Sequence, residues 1–394
     1  MTVIKTQNLT GYIKMKLQSR IKELEQEPRR LDPGIAVLLI ANMHLHNQWI
    51  PSSVFNSVDY TRMELDKDNK AGEDANLLGE LVKTINGGVL NIPKPDIKPV
   101  GDCLVQYNMI RGYRPVREAQ AEQLNIDAKF NPAKFHYADP RLCPPETVFM
   151  TDEYKGTQFD LLFNKYPFTP FHFLLVPERG KMHNQYIGGG NFRFVEAVWQ
   201  FMEEAKDPAL RVAFNSLGAH ASVNHMHFQA FFADDKFSLP IEAKLPWILP
   251  GAAIMTNLPI KHAVWIAKNS DNPAEALTQL QMFTNRLHEI AKQAETDSSI
   301  DSPAYNLYFT NRGIALFPRR HQGQGKYLEI LQRITKIEDG KKFTTGYAFM
   351  EMLGEIICPN QNGFKSVTPD DINEVYSNLS LPQNPFEGLI RTSI

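Results

Sequence analysis

Apolar and polar residues alternate over residues 225–230, where Met226, Phe228 and Ala230 interleave with His225, His227 and Gln229. In an extended chain a period of two separates these into a core face and a face bearing two imidazoles and an amide, so the segment predicts a strand with the three polar groups in a row. Upstream, QFDLLFNKYP (158–167) and FHFLLVPE (171–178) have the content of strands, and the prolines of the intervening PFTP favour a turn, which makes the two a hairpin. CLVQYNMIRGYRPV (103–116) predicts another strand, ending at Arg111-Gly112. Three glycines at 188–190 break the chain before NFRFVEAVWQFMEEA, whose apolar spacing is helical. The pattern restarts after residue 250: IKHAVWIAK predicts a strand, and Asn272-Pro273-Ala274-Glu275 supplies an N-cap, a first-turn proline and an acidic residue for a helix whose buried stripe is Leu277, Leu280, Leu287 and Ile290. YNLYFTNRGIALFPRR (305–320) then predicts two strands about a turn at Thr310–Gly313, and Thr368-Pro369-Asp370-Asp371 opens a last helix over 369–379. Strand, helix, strand, strand thus occurs twice, which predicts a duplicated α+β unit.

The first hundred residues are less legible. An apolar run, Ala36–Met43, precedes the charged MELDKDNKAGEDANLLGE (63–80), expected as an exposed loop or helix edge. The prolines of NIPKPDIKPVGD (91–102) disfavour helix and mark a joint. The division expected is an N-terminal extension (1–100), a first half with the histidine segment (101–250) and a second half (251–394). With 394 residues, 43% of them apolar, the chain can bury two cores or one large one.

Charge narrows the partners. A formal net charge of -2 creates no broad positive field, which argues against a general nucleic-acid binder or a ligand of acidic membranes; any phosphate must be met by local groups. Cys103, Cys143 and Cys358 are far apart and odd in number, contrary to a disulfide framework, and no CxxC spacing offers a zinc site. No apolar run is long enough to span a bilayer, and the chain start lacks a secretory signal's apolar stretch, so a soluble, cytoplasmic protein is expected.

A pair of histidines on a strand is by itself a common structural device. Here Asn215, Ser216, Gly218 and Ser222 precede it, and a loop of that kind presents N–H groups and hydroxyls that cradle phosphate. His44, His46 and Gln48 have the same spacing but follow an uninterrupted apolar run, and are read as structural or surface residues. A metal at His225 and His227 needs a third ligand, for which only His220 and His183 offer themselves, and none is expected. Arg319 and Arg320 are read as a solvated pair rather than a phosphate clamp, Lys341 and Lys342 as a solvated turn, and one of Lys165, Arg179 and Lys181 as facing the site. His136, His262, His288 and His321 are expected to be surface or partly buried.

The stretch FNSLGAHASVNHMHFQAFF (214–232) resembles the active-site segment of the plant and animal GDP-hexose phosphorylases, in the galactose-1-phosphate uridylyltransferase branch of the histidine triad (HIT) superfamily. LVQYNMIRGYRPVRE, FNPAKFHY, FNKYPFTPFHFLLVPE, LPIKHAVWIAKNSDNP, YNLYFTNRGIALFPRR and GYAFMEMLGEIICPNQNGF follow the same family in order, so the likeness spans about residues 100–394. It implies an α+β fold in which tandem HIT-like halves share an antiparallel sheet, a half-barrel flanked by helices. It also implies nucleotidyl transfer through a covalent histidine, the second of HxHxQ, which is His227. His225 would orient the loop or phosphate, Ser222 and the N–H groups around Gly218 would contact phosphate, and Asn164 and Asn215 fall at nucleotide-contacting places. The partners implied are a nucleotide sugar or dinucleotide and phosphate, with a second copy of the chain allowed and no cofactor. An amide such as Gln229 cannot serve as a general acid at neutral pH, which favours transfer over hydrolysis. The first hundred residues depart from the family. A GDP-hexose phosphorylase, a dinucleoside tetraphosphate (Ap4A) phosphorylase and a nucleotide-binding regulator without turnover all remain open.

Overall fold

The computed structural model describes residues 8–26, 31–46, 54, 58, 78–79, 85–86, 89–90, 95–112, 125–141, 143–233, 239–246, 251–269, 271–322, 344 and 346–389. The charged stretch at 63–77, Gln48, and Lys341 with Lys342 lie outside them. The helices are α1 (Leu9–Gln26), α2 (Pro33–Leu45), α3 (Met109–Gly112), α4 (Phe192–Ala205), α5 (Pro273–Thr296), α6 (Phe349–Met352), α7 (Gln361–Ser366) and α8 (Pro369–Leu379). The strands are β1 (Ile85–Asn86), β2 (Val89–Leu90), β3 (Asp96–Val100), β4 (Cys103–Tyr107), β5 (Val148–Tyr154), β6 (Thr157–Phe163), β7 (Phe173–Pro177), β8 (Leu210–Asn215), β9 (Phe228–Phe232), β10 (Gly251–Ile254), β11 (Val264–Ala267), β12 (Pro303–Thr310), β13 (Gly313–Arg320) and β14 (Glu355–Cys358).

Among the described residues nine strands form one antiparallel sheet in the order β10-β11-β13-β12-β8-β9-β7-β6-β5. The repeated strand, helix, strand, strand pattern is its plan. The units β7-α4-β8-β9 and β11-α5-β12-β13 each place their third strand between the other two, and they meet at β8 and β12, where Asn215 lies opposite Asn306 and Val212 opposite Phe309. Strands β6 and β10 extend the two ends symmetrically. This is the expected α+β fold, two like halves on a shared antiparallel sheet flanked by helices.

Both faces of the sheet are covered, and the alternation along its strands decides which side chain enters which core. Leu210, Val212 and Phe214 of β8 and Tyr305, Leu307 and Phe309 of β12 join a core with the helices α1, α2, α4 and α5. Ala213 and Tyr308 point the other way, toward β4, β14 and the C-terminal helices. Helix α4 buries Phe194, Ala197, Val198, Phe201, Met202 and Ala205, a stripe at the three- and four-residue spacing that lays one face on the sheet. Helix α8 opens with the expected box: Thr368 Oγ1 accepts from Asp371 N (3.2 Å) and Asp371 Oδ2 from Thr368 N (2.9 Å).

Several expectations are corrected. The strand foreseen over 103–116 ends at Tyr107 and gives way to α3. Asn272 stands at the start of α5 and its carbonyl accepts from Glu275 N at 3.1 Å, but its side chain makes no cap bond; Asn269 Oδ1 instead closes the turn ahead of the helix, accepting from the N–H groups of Asp271 and Asn272 at 2.9 and 3.2 Å. Ile290 is only half-buried, and Phe283 takes its place in the α5 stripe. The proline-rich joint is in part strand β3, an edge strand where a proline is tolerated, and residue 100 ends it one step before its turn into β4. Arg319 is completely buried, and Arg320 pairs with the half-buried Asp301 at 3.2 Å. His136, His288 and His321 are likewise buried, His288 against the Tyr305 hydroxyl at 3.0 Å. Among the described residues no helix is long and apolar enough to cross a membrane.

Candidate active site

The histidine segment is not strand throughout. β9 begins at Phe228, and the backbone ahead of it is held by side chains and loops. Gln185, fully buried, receives the His227 N–H on its Oε1 (2.8 Å) and donates through Nε2 to the carbonyls of His227 (3.0 Å) and Asn215 (2.9 Å). Met226 N donates to the His183 carbonyl at 2.7 Å. One amide therefore ties the end of β8 to the start of β9, and the intervening loop is a closed excursion. The expected alternation survives nonetheless: Met226, Phe228 and Ala230 lie in the helix-side core.

The second half braces that loop. Ser216 exchanges bonds with Tyr305, and Asn306 Nδ2 donates to Asn215 Oδ1 (2.7 Å) and to the Ala219 carbonyl (3.0 Å). Gly218, at φ +76, lets the chain pass so close to His321 that a Cβ would sit 2.0 Å from the ring, and its carbonyl accepts from Gln322 N at 2.8 Å. Gly218 lines neither of the cavities described next, and its part here is to turn the loop.

Two cavities meet at His227. The larger, about 160 Å³, is bounded by Phe135, Leu162, Leu174, Val223, Asn164 and the first turn of α2. The smaller, about 30 Å³, is bounded by Asn215, His220, Phe168 and residues 348–351. Arg111, Ser222, His227 and Gln229 border both. Only the first has room for a nucleoside, and the second is of the scale of a single small group.

His227 Nδ1 lies 2.8 Å from the His225 carbonyl oxygen. A carbonyl only accepts, so Nδ1 carries the proton and Nε2 is the basic nitrogen of the ring. The side chain of His225 stands behind, lining neither cavity. Its Nδ1 accepts from Tyr137 N at 3.1 Å, and burial, reinforced by His227, holds its pKa down to about 3, so it stays neutral. It positions Tyr137, a wall of the larger cavity whose ring meets His227 edge-on at 5.3 Å.

Asn164 accepts from Tyr166 N (2.9 Å) and its Nδ2 lies 3.1 Å from His172 Nε2, which is also 3.0 Å from Gln229 Oε1. His172, fully buried, thus stands between the two amides that face the cleft, and with Nε2 protonated it donates to Gln229 Oε1. Arg111 is held by its Nη1 donating to the Tyr166 carbonyl at 2.7 Å, beneath the junction of the cavities. Lys165 lines the larger cavity, whereas Arg179 is bound to Asp160 (2.7 Å) and Lys181 to Glu178 (2.9 Å). The other HxH pair ends helix α2, where residues two apart do not share a face; His46 packs edge-on against Phe171 and burial lowers its pKa to about 4. Among the described residues no group of three or more His, Cys, Asp or Glu could hold a metal ion.

The sequence does not mark Arg111, Gln185 or His172 as functional. Arg111 ends a segment whose apolar content predicts a strand, and His172 is a lone imidazole in an apolar run. Gln185 carries no local signal, because its task is defined by a segment forty residues away.

Comparison with known proteins places the chain among relatives. A family model described as "GDPGP1-like, N-terminal domain" matches residues 101–231. The chain is 33% identical over 302 residues to GDP-D-glucose phosphorylase 1 of Homo sapiens, covering 73% of this chain and 72% of that one. It is 26% identical to the Danio rerio protein of the same name over 71% of this chain and 77% of the relative, and 23% identical to GDP-L-galactose phosphorylase 2 of Arabidopsis thaliana over 48% and 40%. Among solved structures, yeast Ap4A phosphorylase Apa2 has the same fold, with a TM-score of 0.51 at 16% identity over 80% of this chain and 98% of that one.

Proposed function

Because the chain belongs to the GDP-D-glucose phosphorylase family, we propose that it splits a GDP-hexose with phosphate into GDP and hexose 1-phosphate, through a guanylyl group carried on His227. The observation that carries this reading is the bond from His227 Nδ1–H to the His225 carbonyl, which presents Nε2 where the two cavities join.

Nε2 attacks the α-phosphorus; an N–P bond forms, the bridging P–O bond breaks, and hexose 1-phosphate departs with the electron pair. The ring becomes cationic as it is phosphorylated, and its Nδ1–H bond to a fixed carbonyl grows stronger at that moment. A phosphate ester is a good enough leaving group to need no proton, and Gln229 offers none. With its carbonyl turned to His172, the Gln229 amide directs its N–H groups to phosphate oxygens. Arg111, bordering both cavities, counters the charge gathering on the transferred group, and Ser222 contacts it from the loop. Orthophosphate then enters the smaller cavity, attacks the same phosphorus, and releases GDP and the free imidazole. The sequence of half-reactions is ping-pong.

The test is a panel of GDP-, UDP- and ADP-hexoses and diadenosine tetraphosphate incubated with phosphate, with mass spectrometry of the acid-quenched protein. Hexose 1-phosphate from GDP-hexose and a guanylyl adduct on His227 are expected. ADP and ATP from the dinucleotide alone would give the reaction to the other phosphorylase, and nucleotide binding with no adduct would leave a regulator.

A further inference from the structure

Among the described residues Arg111 is the one arginine or lysine that borders both cavities, and two segments that place it meet at a buried amide, Asn108. Asn108 follows directly on β4, and its N–H donates to the Cys358 carbonyl at the end of β14 at 2.9 Å. Its Oδ1 accepts from Arg111 N at 3.3 Å, which holds the turn of α3 that carries the arginine. Its Nδ2 donates to the Pro167 carbonyl at 3.4 Å. Pro167 follows Tyr166, whose carbonyl receives Arg111 Nη1 at 2.7 Å. One side chain therefore joins the backbone of Arg111 to the segment that grips its guanidinium.

We propose that Asn108 is a positioning residue for Arg111, with Gln106 keeping its amide the right way round; the inference rests on Arg111 countering charge on the transferred phosphoryl group. The two ends of an amide are nearly equal in shape and opposite in bonding, so its orientation has to be imposed. The minor sheet imposes it. Glu355 Oε1, on β14, accepts from Gln106 Nε2 at 2.8 Å, which turns the Gln106 oxygen toward Asn108 Nδ2, 3.2 Å away. Asn108 is then left with Oδ1 facing Arg111 N. Gln106 and Asn108 are both buried and line neither cavity, so what they do for the reaction passes through Arg111. A long, many-jointed side chain counters developing charge well only if its head is fixed before the charge appears, and a displacement of about 1 Å can cost about 100-fold in rate. Holding the guanidinium at Tyr166 achieves this only while Tyr166 and α3 keep a set distance, and Asn108 spans the two.

The experiment is a double-mutant cycle in the full chain. Asn108→Ala and Asn108→Ser are each made in the wild type and in Arg111→Gln, and kcat, KM and Tm are measured with whichever substrate of the panel above turns over. With Arg111 present, Asn108→Ala should lower kcat about 30-fold and change KM by less than about threefold, as expected when a charge-countering group is misplaced. Serine keeps an acceptor for Arg111 N and loses the reach to Pro167, so about fivefold is expected, and this variant reads the same cycle if the alanine chain does not fold. In the Arg111→Gln background neither change should lower kcat by more than about twofold further, although Tm falls as much as it does with Arg111 present. The loss of Tm thus records the structural part of the amide, and the missing loss of kcat records its action through Arg111. Equal kcat factors in the two backgrounds, or Asn108 variants with kcat near the wild type, would overturn the proposal alone. An Arg111→Gln chain with undiminished kcat would instead remove the charge role given to Arg111, and this inference with it.

Discussion

The two halves of the sheet have the same strand order and opposite occupations. In the first, β8 and β9 are joined by residues 216–227, a loop that carries Ser222 and delivers His227 to the cavities. In the second, the equivalent β12 and β13 are joined by Asn311 and Arg312 alone. That turn is closed by Thr310, whose Oγ1 accepts from Arg312 N at 3.0 Å, and by Gly313, where a Cβ would come within 2.2 Å of the Ile266 carbonyl. Nothing in so short a link can take the place of His227. What the second half provides is rigidity: Tyr305, Asn306, His321 and Gln322 each hold the first half's loop. On the proposed mechanism one half carries the reacting groups and its partner is their scaffold. A loop needs such support where its conformation, and not its composition, positions the nucleophile.

The sharpest way to break this division is at the nucleophile. His227→Asn should lower kcat by about 10⁴-fold or more while leaving Tm within a few degrees, since the ring itself forms the intermediate. Retained turnover or an adduct elsewhere would move the chemistry out of this half. Arg111→Gln should cost about 100- to 1000-fold in kcat, the range for one lost group that counters charge in the transition state, with a smaller change in KM. A loss confined to KM would make Arg111 a binding group only.

The scaffold role is tested across the seam. Asn306→Ala strips partners from Asn215 Oδ1 and the Ala219 carbonyl, both interior, and should destabilise the chain by about 1–3 kcal/mol and slow kcat about tenfold. Arg312→Ala, in the short turn, should leave kcat within about twofold, because Arg312 borders neither cavity and lies over Trp265 and beside the Leu245 carbonyl. Equal effects from the two substitutions would dissolve the contrast between braced loop and plain turn.

Much of this was legible in the chain because it is written locally. The duplicated strand, helix, strand, strand pattern and the alternation of Met226, Phe228 and Ala230 follow from the period of the backbone, and Thr368 with Asp371 from the geometry of one helical turn. What escaped depends on partners distant in sequence. His225, His227 and Gln229 look equivalent by spacing, yet Tyr137 draws His225 into the interior, His172 orders Gln229, and Gln185 sets the backbone between them. Arg319 and Arg320 form a charged pair at a strand end, which by sequence alone points to solvent, and strand β13 carries Arg319 into the core. The run Ala36–Met43 is a helix whose N-terminal turn reaches the cavity, and its apolar composition held no trace of that.

The smallest effect expected concerns pH, and it sets the catalytic half against the minor sheet of β14, β4 and β3. His225 is neutral when folded, with its pKa near 3 in place of the ordinary 6.5, so the unfolded chain takes up a proton that the folded chain refuses. Stability on this account is full above pH 6.5 and falls as pH drops from 6.5 toward 3. Glu355 on β14 has the opposite sign. Burial, with Glu351 alongside, raises its carboxyl to about 8 from the ordinary 4.5, so the folded chain holds a proton that the unfolded chain releases, and stability falls as pH rises from 4.5 through 8. Glu355→Gln removes that second loss while keeping an oxygen to accept from Gln106 Nε2, now at 2.8 Å. The variant should match wild-type Tm at pH 5 and exceed it by about 2–5 °C at pH 8.5, with kcat unchanged because Glu355 lines neither cavity. A Tm difference that is the same at both pH values would mean that the buried carboxyl is not the source of alkaline instability, and that the minor sheet titrates no differently from the half that carries the site.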